Sequence, residues 1–372
     1  MKSKPRSLSP GEPESVSTRR RDGNNFDFLR FVLASLVIVS HSPTLLDGNS
    51  SREPLARITA DRLTLGVIAV NGFFLISGFL ILQSWIFSRG LGDFLKKRVL
   101  RIYPAFVVAT IFSVLCVGAL GAANARDYWR QMDAGFAFQQ AKRILSLRIP
   151  NTPPVFAGLP YPAVNGAIWT VRYEFACYLG VVALGLTGVV KKRAFVLTGA
   201  LAAYAIFCAQ HFKIFTFSTD DLPVLGVPAN WPRFATYFFT GMCFYLFREK
   251  FRFTAISAAV SGALLLAGCT LPHTSVFVWP VFGAFLLFAT AFAKKIRLHH
   301  FGQYGDFSYG IFLYGWPAQT LLIWYFGRGL SPVLLTLLAL IGAGGLAWSS
   351  WHLVERPCLA IAKKRKSASE GL

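Results

Sequence analysis

The 372-residue sequence contains little charge, few acidic residues and few cysteines. Only 15% of its residues are charged, and 38 Lys and Arg stand against 17 Asp and Glu, which gives a formal net charge of +21. Five of the six cysteines lie inside separate apolar runs and the sixth, Cys358, lies in a basic tail, so their spacing argues against a disulfide framework or a cysteine metal site. The 54% content of hydrophobic residues excludes a disordered chain.

The signatures of common soluble enzymes are also absent. The sequence holds no GxSxG elbow, HExxH helix, Walker loop or dinucleotide fingerprint. Its apolar residues instead fall into blocks of about 20 residues, the length that spans a bilayer as a helix. The predicted spans are centred on residues 26–42, 66–86, 103–121, 168–187, 194–210, 232–247, 254–271, 275–293, 307–327 and 331–354. The sequence thus predicts an all-α integral membrane protein, a bundle of about ten transmembrane helices.

Basic residues alternate between the connections of these spans. Connections on the side of the N-terminus carry 25 Lys and Arg, and those on the other side carry 10. Because cytoplasmic connections of membrane proteins are enriched in Lys and Arg, both termini are predicted to lie in the cytoplasm. Cations spread over alternate connections indicate membrane lipids as partners and argue against nucleic acid.

Three regions follow from this pattern. Residues 1–25 are predicted to be a disordered basic cytoplasmic N-terminus, residues 26–355 the transmembrane domain, and residues 356–372 a basic cytoplasmic tail. One extracytoplasmic connection, 122–167, is long and ends in a proline-rich, aromatic stretch. That stretch is compatible with a folded flap over a cavity or with an interfacial loop.

Ionisable residues inside the predicted spans mark candidate functional sites, because a charge in lipid is costly. Arg30 and His41 are 11 residues apart in the first span, which places them on one helix face about 16 Å apart along the axis. Glu174 lies in the fourth span at a depth comparable to that of His41, and Arg172 points away from it. We therefore expect a contact between His41 and Glu174, while Arg30 either faces a site or reaches the inner headgroups.

Polar and basic residues also mark the second and third spans. Asn71 and Ser77 interrupt an otherwise aliphatic helix, either for close helix packing or to line a path for a ligand. Lys97, Arg98 and Arg101 precede the third span, and the two arginines are neighbours on one helical face. Such a pair either binds phosphate in a bidentate manner or only marks the cytoplasmic side.

These residues together indicate acyl transfer. A long anionic donor would bind its phosphates at the cytoplasmic cations and bring its reactive end toward His41, whose imidazole would take the proton of an attacking hydroxyl. A carboxylate such as Glu174 would fix the tautomer of the imidazole. A thioester donor is already activated, so we expect no metal.

Six segments, taken in order, resemble the acyltransferase-3 family of membrane O-acyltransferases, which includes the bacterial acetylases of O-antigen, exopolysaccharide and Nod-factor sugars. The segments are Arg30 with ten residues to His41, NGFFLISGFLI at 71–81, KRVLRIYP at 97–104, IWTVRYE at 168–174, FSYGIFLYGWP at 307–317 and VERP at 354–357. The resemblance extends from about residue 25 to residue 358 and implies ten or so core helices.

The resemblance also implies roles for individual residues. It places His41 and Glu174 in catalysis and makes acetyl-CoA, or another acyl-CoA, the cytoplasmic donor. It implies donor binding or positioning by Arg30, Arg98 and Arg101. With Lys97 added, these are the predicted donor-binding residues, and the residues predicted to line the substrate cavity are Asn71, Ser77, Trp169, Arg172, Ser308 and Tyr309. The chain departs from many relatives at Gly315, where they carry a histidine, and at Asn71, where they often carry an acid.

The expected function is transfer of an acyl group, by default acetyl, to a hydroxyl of an extracytoplasmic or lipid-linked glycan in the bacterial inner membrane. A transporter that flips a glycan or a lipid-linked intermediate is the alternative, since it would share the spans and a polar cavity. Such a transporter would need no base paired with an acid, and it would usually show internal repeats, which this sequence lacks.

Overall fold

The computed structural model describes residues 24–222, 225–271, 273–293 and 298–364, and within these ranges the chain is helical and contains no strand. Most of the predicted N-terminal region 1–25, and the predicted tail beyond residue 364, lie outside the described residues. The predicted boundary at residue 355 does not interrupt the last helix, which passes through a π-type turn at Trp351–Glu355 and continues as an α-helix.

We number thirteen helices in the described ranges. They are α1 (Phe26–Asp47), α2 (Pro54–Thr59), α3 (Leu65–Ile86), α4 (Leu91–Gly121), α5 (Ala125–Arg130), α6 (Ala134–Leu145), α7 (Ala167–Leu186), α8 (Arg193–His211), α9 (Trp231–Leu246), α10 (Ala255–Thr270), α11 (Ser275–Ala291), α12 (Ser308–Phe326) and α13 (Pro332–Ala362). Each predicted span corresponds to one of these helices. Among the described residues, α1, α3, α4, α7, α8 and α13 are long and apolar enough to cross a membrane. The count of ten crossings and the orientation of the termini stay predictions.

Short polar side chains set the helix boundaries. Thr64 accepts a hydrogen bond from the N–H of Val67 at the start of α3, and Ser331 accepts one from Leu334 at the start of α13. Both bonds satisfy backbone donors that have no partner within the helix. After α1 the chain turns at Gly48, whose φ of 81° lies in the left-handed region that glycine adopts without strain.

The bundle is built around α1, which packs against α3, α12 and α13. Helices α3 and α9 cross at backbone contact, because Gly78 lies against the carbonyl of Phe238 and Gly241 against that of Leu75. A side chain at either glycine would overlap those carbonyl oxygens. Large apolar residues on the outward faces of the helices remain exposed, as a hydrocarbon environment requires.

Two ends of the bundle differ in charge. We call the end at which α1 begins, α3 ends and α4 begins the basic end, since Arg30, Lys97, Arg98 and Arg101 lie there. We call the opposite end, which holds residues 122–167, the loop end. The long connection at the loop end is folded onto the bundle, with the buried Tyr128 hydroxyl donating a 2.6 Å hydrogen bond to the carbonyl of Val114.

Candidate active site

A cavity of about 1480 Å³ opens at the basic end of the bundle. Six basic and two acidic side chains line it, the acidic ones being Asp27 and Glu174. The basic side chains are Arg30, Lys97, Arg98, Arg101, Arg248 and Arg356. Phenylalanine rings, among them Phe244 and Phe251, form an apolar part of the wall. A wall of this composition can hold a ligand that has both phosphates and apolar portions.

Asp306, two residues before α12, joins two of these arginines. Its Oδ2 accepts a 2.6 Å hydrogen bond from Arg30 Nη1 and a 2.5 Å bond from Arg101 Nη2. Its Oδ1 accepts hydrogen bonds from the backbone N–H and the hydroxyl of Ser308. Burial alone would raise the pKa of Asp306, but the attraction of Arg30 and Arg101 outweighs burial and holds the pKa well below its usual range. The ionised carboxylate therefore ties α1, α4 and the start of α12 together.

The predicted phosphate-binding pair Arg98 and Arg101 is divided in its contacts. Arg101 is bound to Asp306, and a second carboxylate, Glu355 Oε2, lies 3.6 Å from its Nη1. The Arg98 guanidinium lies 5.9 Å from the centre of the Tyr178 ring and lines the cavity. Arg101 is therefore held by two carboxylates at the basic end, whereas Arg98 lines the cavity wall together with other basic side chains.

Glu174, the predicted partner of His41, has other partners. Its Oε1 accepts a 2.8 Å hydrogen bond from Ser77 Oγ and another from the Tyr178 hydroxyl. Glu174 lines the same cavity as Arg30, which is about 16 Å from His41 along α1. Among the described residues there is no ion pair or hydrogen bond between His41 and Glu174, which corrects the contact predicted from the sequence.

A smaller cavity of about 40 Å³, which we call the neck, continues from the large one. The two cavities share Arg30, Ser77 and Glu174. The other residues that line the neck are Val70, Phe73, Phe74, Thr170, Val171, Ser308, Tyr309 and Phe312. Of the predicted cavity-lining residues, Ser77, Ser308 and Tyr309 therefore do line a cavity.

His41 lies beyond the neck, toward the loop end. Its ring centre is 5.1 Å from that of Trp316, in an edge-to-face arrangement, and Trp316 is one turn of α12 past Phe312 of the neck. His41 Nδ1 is buried, and no described residue forms a hydrogen bond with it. The neck therefore extends from the large cavity toward the part of the bundle in which His41 lies.

The long connection at the loop end is docked next to this histidine. Trp316 Nε1 donates a 2.9 Å hydrogen bond to the carbonyl of Ala163. Pro317 lacks an N–H, so the carbonyl of Leu313, four residues earlier, loses its helical partner. The side-chain amide of the fully buried Asn165 donates a 2.8 Å bond to this carbonyl and replaces the missing donor.

The remaining predicted site residues lie outside both cavities or are paired within the wall. Asn71 Oδ1 accepts a 2.8 Å hydrogen bond from Arg233 Nε, which joins α3 to α9. Trp169 packs in the core against aromatic neighbours, and Arg172 forms a 2.6 Å ion pair with Asp221. Lys97, which lines the large cavity, pairs with Asp93 at 2.5 Å.

Several site residues were missed in the sequence. Asp306 lies outside the predicted spans, and Arg248 lies in a connection whose basic residues were interpreted as a sign of the cytoplasmic side. Glu355 and Arg356 lie in the VERP segment that carries the family resemblance, which was the one available signal for them. The importance of Asp306 depends on a distant partner, Arg30, at a separation of 276 residues, which no local pattern encodes. Within the described ranges, no group of three or more His, Cys, Asp or Glu could hold a metal ion.

A family model described as an acyltransferase domain matches residues 24–352. The chain is 25% identical over 354 residues to a protein named "O-acetyl transferase" from Shigella phage Sf6, with 92% of this chain and 98% of that protein covered. It is 28% identical over 368 residues to "Nodulation protein 10" from Rhizobium leguminosarum bv. viciae, with 91% and 94% covered. No solved structure matches the chain significantly. Because the family model covers most of its length, the chain belongs to the acyltransferase-3 family, and it is a multi-pass membrane O-acyltransferase.

Proposed function

We propose that the protein moves an acetyl group from cytoplasmic acetyl-CoA to a hydroxyl of an extracytoplasmic or lipid-linked glycan in the bacterial inner membrane, with His41 as the general base. The observation that carries this proposal is the order of three features along the bundle. A basic cavity lies at one end of the bundle, a neck leads from it, and a buried, unpartnered imidazole nitrogen lies beyond the neck.

The large cavity supports an acyl-CoA donor through its size and its chemistry. Its volume of about 1480 Å³ is ample for a nucleotide-containing thioester. Arg98, Arg248 and Arg356 would hold the phosphates, because guanidinium groups bind phosphate oxygens in a bidentate manner. The phenylalanine rings of the wall would contact the apolar portions. The basic end would face the cytoplasm, in accordance with the excess of Lys and Arg in the connections on that side.

His41 suits the role of base because of what surrounds it. A neutral imidazole has one ring nitrogen with a free lone pair, and a buried nitrogen without a protein partner can accept the proton of a substrate hydroxyl. Trp316, which contacts the ring edge to face, restricts its orientation. Glu174 does not contact His41, so we assign it a positioning role at the entrance of the neck, where its carboxylate accepts hydrogen bonds from Ser77 and Tyr178.

The transfer then balances as follows. The acceptor oxygen attacks the thioester carbonyl carbon while His41 takes the hydroxyl proton. The carbon–oxygen bond forms, the carbon–sulfur bond breaks, and the leaving CoA thiolate receives a proton, which the imidazolium can return. The products are the O-acetylated glycan and CoA, and no oxidant or reductant is consumed.

The test uses the purified full chain, acetyl-CoA labelled in the acetyl group, and the cell-envelope glycan fraction, with acylation measured by mass spectrometry. His41→Ala should lower the transfer rate by roughly 10²-fold or more, the typical contribution of a general base. His211→Ala is the matched control, since His211 pairs with His273 on the surface and lines neither cavity. Transfer by His41→Ala at the rate of the unmodified protein would refute the assignment of the base.

A further inference from the structure

We infer that Phe73 and Phe312 set the length of the acyl chain that the protein transfers, so that the neck admits acetyl and rejects longer chains. The inference rests on the proposed function, because it concerns the path between the donor cavity and His41. It assigns the selection of the acyl chain to two named residues, which neither the family match nor the names of the relatives do.

The volume of the neck is the first observation. The neck measures about 40 Å³ against about 1480 Å³ for the large cavity, so it is the narrow part of the proposed path of the acyl group. The acetyl group has only three non-hydrogen atoms: the methyl carbon, the carbonyl carbon and the oxygen. A butyryl group has two more carbons. The large cavity on the basic side holds the rest of the donor and imposes no such limit.

Two of the rings that line the neck come from different helices and contact each other. Phe73 lies on α3 and Phe312 on α12, and their ring centres are 6.0 Å apart with planes at 66°. Phe312 lies one helical turn from Trp316, which contacts His41, so an acyl group that approaches His41 passes this pair of rings. The selecting contact is therefore apolar and lies between the donor cavity and the base.

Other side chains in the wall of the neck are held in place by contacts with their neighbours. The ring of Phe74 stacks on that of Phe234 with centres 4.3 Å apart and planes at 4°, so it is held in place from behind. The polar side chains Ser77 and Glu174 are hydrogen-bonded to each other. A longer chain must therefore displace Phe73 or Phe312, and interiors packed at this density resist the addition of even one methylene group.

The experiment compares acetyl-CoA with butyryl-CoA as donors for the purified full chain, with the envelope glycan fraction as acceptor. The readout is the ratio of initial butyryl transfer to acetyl transfer. Apolar pockets discriminate roughly 10–200-fold per methylene group, so the unmodified protein should favour acetyl by at least tenfold. Phe73→Ala and Phe312→Ala should each raise the butyryl-to-acetyl ratio by about tenfold or more.

Phe106→Ala is the matched control, because Phe106 is equally aromatic and fully buried but lines neither cavity. Its ratio should equal that of the unmodified protein even if less of the variant folds, since a ratio does not depend on the amount of active protein. Phe73→Leu and Phe312→Leu provide smaller changes in volume and should shift the ratio in the same direction.

The outcomes separate the two proposals. If the unmodified protein transfers no acyl group from either donor, the proposed function fails. If it transfers acetyl, but butyryl goes equally fast or the ratio is unchanged in the Phe73 and Phe312 variants, the function stands and the chain-length inference is overturned. A shift of the ratio in the Phe106 control as large as in the neck variants would also overturn it, since selection would then not lie at the neck.

Discussion

Replacement of Asp306 by Asn tests whether one carboxylate holds the basic end together. Asn keeps the size of the side chain and removes its charge, so Arg30 and Arg101 lose the carboxylate to which both donate, at 2.6 and 2.5 Å. Glu355 remains, but at 3.6 Å from Arg101 it compensates only one of the two guanidinium groups. The variant therefore leaves a buried cation on α1 without its counter-charge.

The size of the effect follows from burial. The side chains of Asp306, Arg30 and Arg101 are 13%, 21% and 16% exposed, so the cluster is mostly shielded from solvent. Removal of one partner from a buried ion pair costs roughly 3–5 kcal/mol, and the residual exposure together with Glu355 lowers our expectation to about 2–4 kcal/mol. Such a loss corresponds to a fall of about 3–5 °C in the apparent melting temperature of a chain of this length.

The pH dependence of this effect has a definite sign. Because the pKa of Asp306 is lowered in the folded protein, its stabilisation is fully present above the pKa of an unfolded Asp, about 3.9, and is lost as the pH falls through the lower folded value. The contribution of Asp306 to the difference in melting temperature between the unmodified protein and Asp306→Asn should thus still be present at the lower end of the range from pH 8 to pH 5. It should shrink only at more acidic pH.

The assay is thermal unfolding of the purified protein in one detergent over that pH range. Asp47→Asn is the matched control, since it removes the partner of Arg52 from a 2.5 Å ion pair that is 22% and 47% exposed. Exposed pairs contribute about 1 kcal/mol or less, so the control should melt close to the unmodified protein. Equal melting of Asp306→Asn and the control, or a difference that vanishes already at pH 6, would refute the reasoning.

Two further predictions concern donor binding and helix packing. Arg98→Gln should weaken the binding of acetyl-CoA by roughly 10–100-fold, because it removes a charge-assisted hydrogen bond to phosphate. Arg126→Gln, at the loop end, should leave the affinity unchanged. Calorimetric titration measures both affinities, and equal values for the two variants would contradict the donor site. Gly241→Ala should destabilise the protein by about 1–3 kcal/mol, because the added carbon overlaps the carbonyl of Leu75. Gly262→Ala, where the added carbon meets no atom within 4 Å, should melt at or above the temperature of the unmodified protein, and a reversed order would refute the packing argument.

The helices could be predicted from the sequence because runs of apolar residues and the spacing of Lys and Arg are local properties. Each predicted span is a helix, and Arg30 and His41 share α1 as predicted. The two helices in the long connection, α5 and α6, were not predicted. They are short and partly polar, so they lack the apolar run of about 20 residues from which the other helices were predicted.

The neighbours of a helix could not be predicted from its own periodicity. The spacing in α7 correctly separates Glu174 from Arg172, but it does not state which helix Glu174 faces. Helix α7 packs against α3, so Glu174 meets Ser77 there and not His41 on α1. The same reason explains why Asp306 was missed, since its importance derives from two arginines that are distant in sequence.

The bond between Asn165 and the carbonyl of Leu313 holds the long connection against α12, beside the ring of His41. If the segment around Asn165 lifted away, a carbonyl already deprived of its helical donor by Pro317 would lose its replacement partner, at a cost of roughly 1–3 kcal/mol. Any movement that opened this part of the loop end would have to overcome that cost.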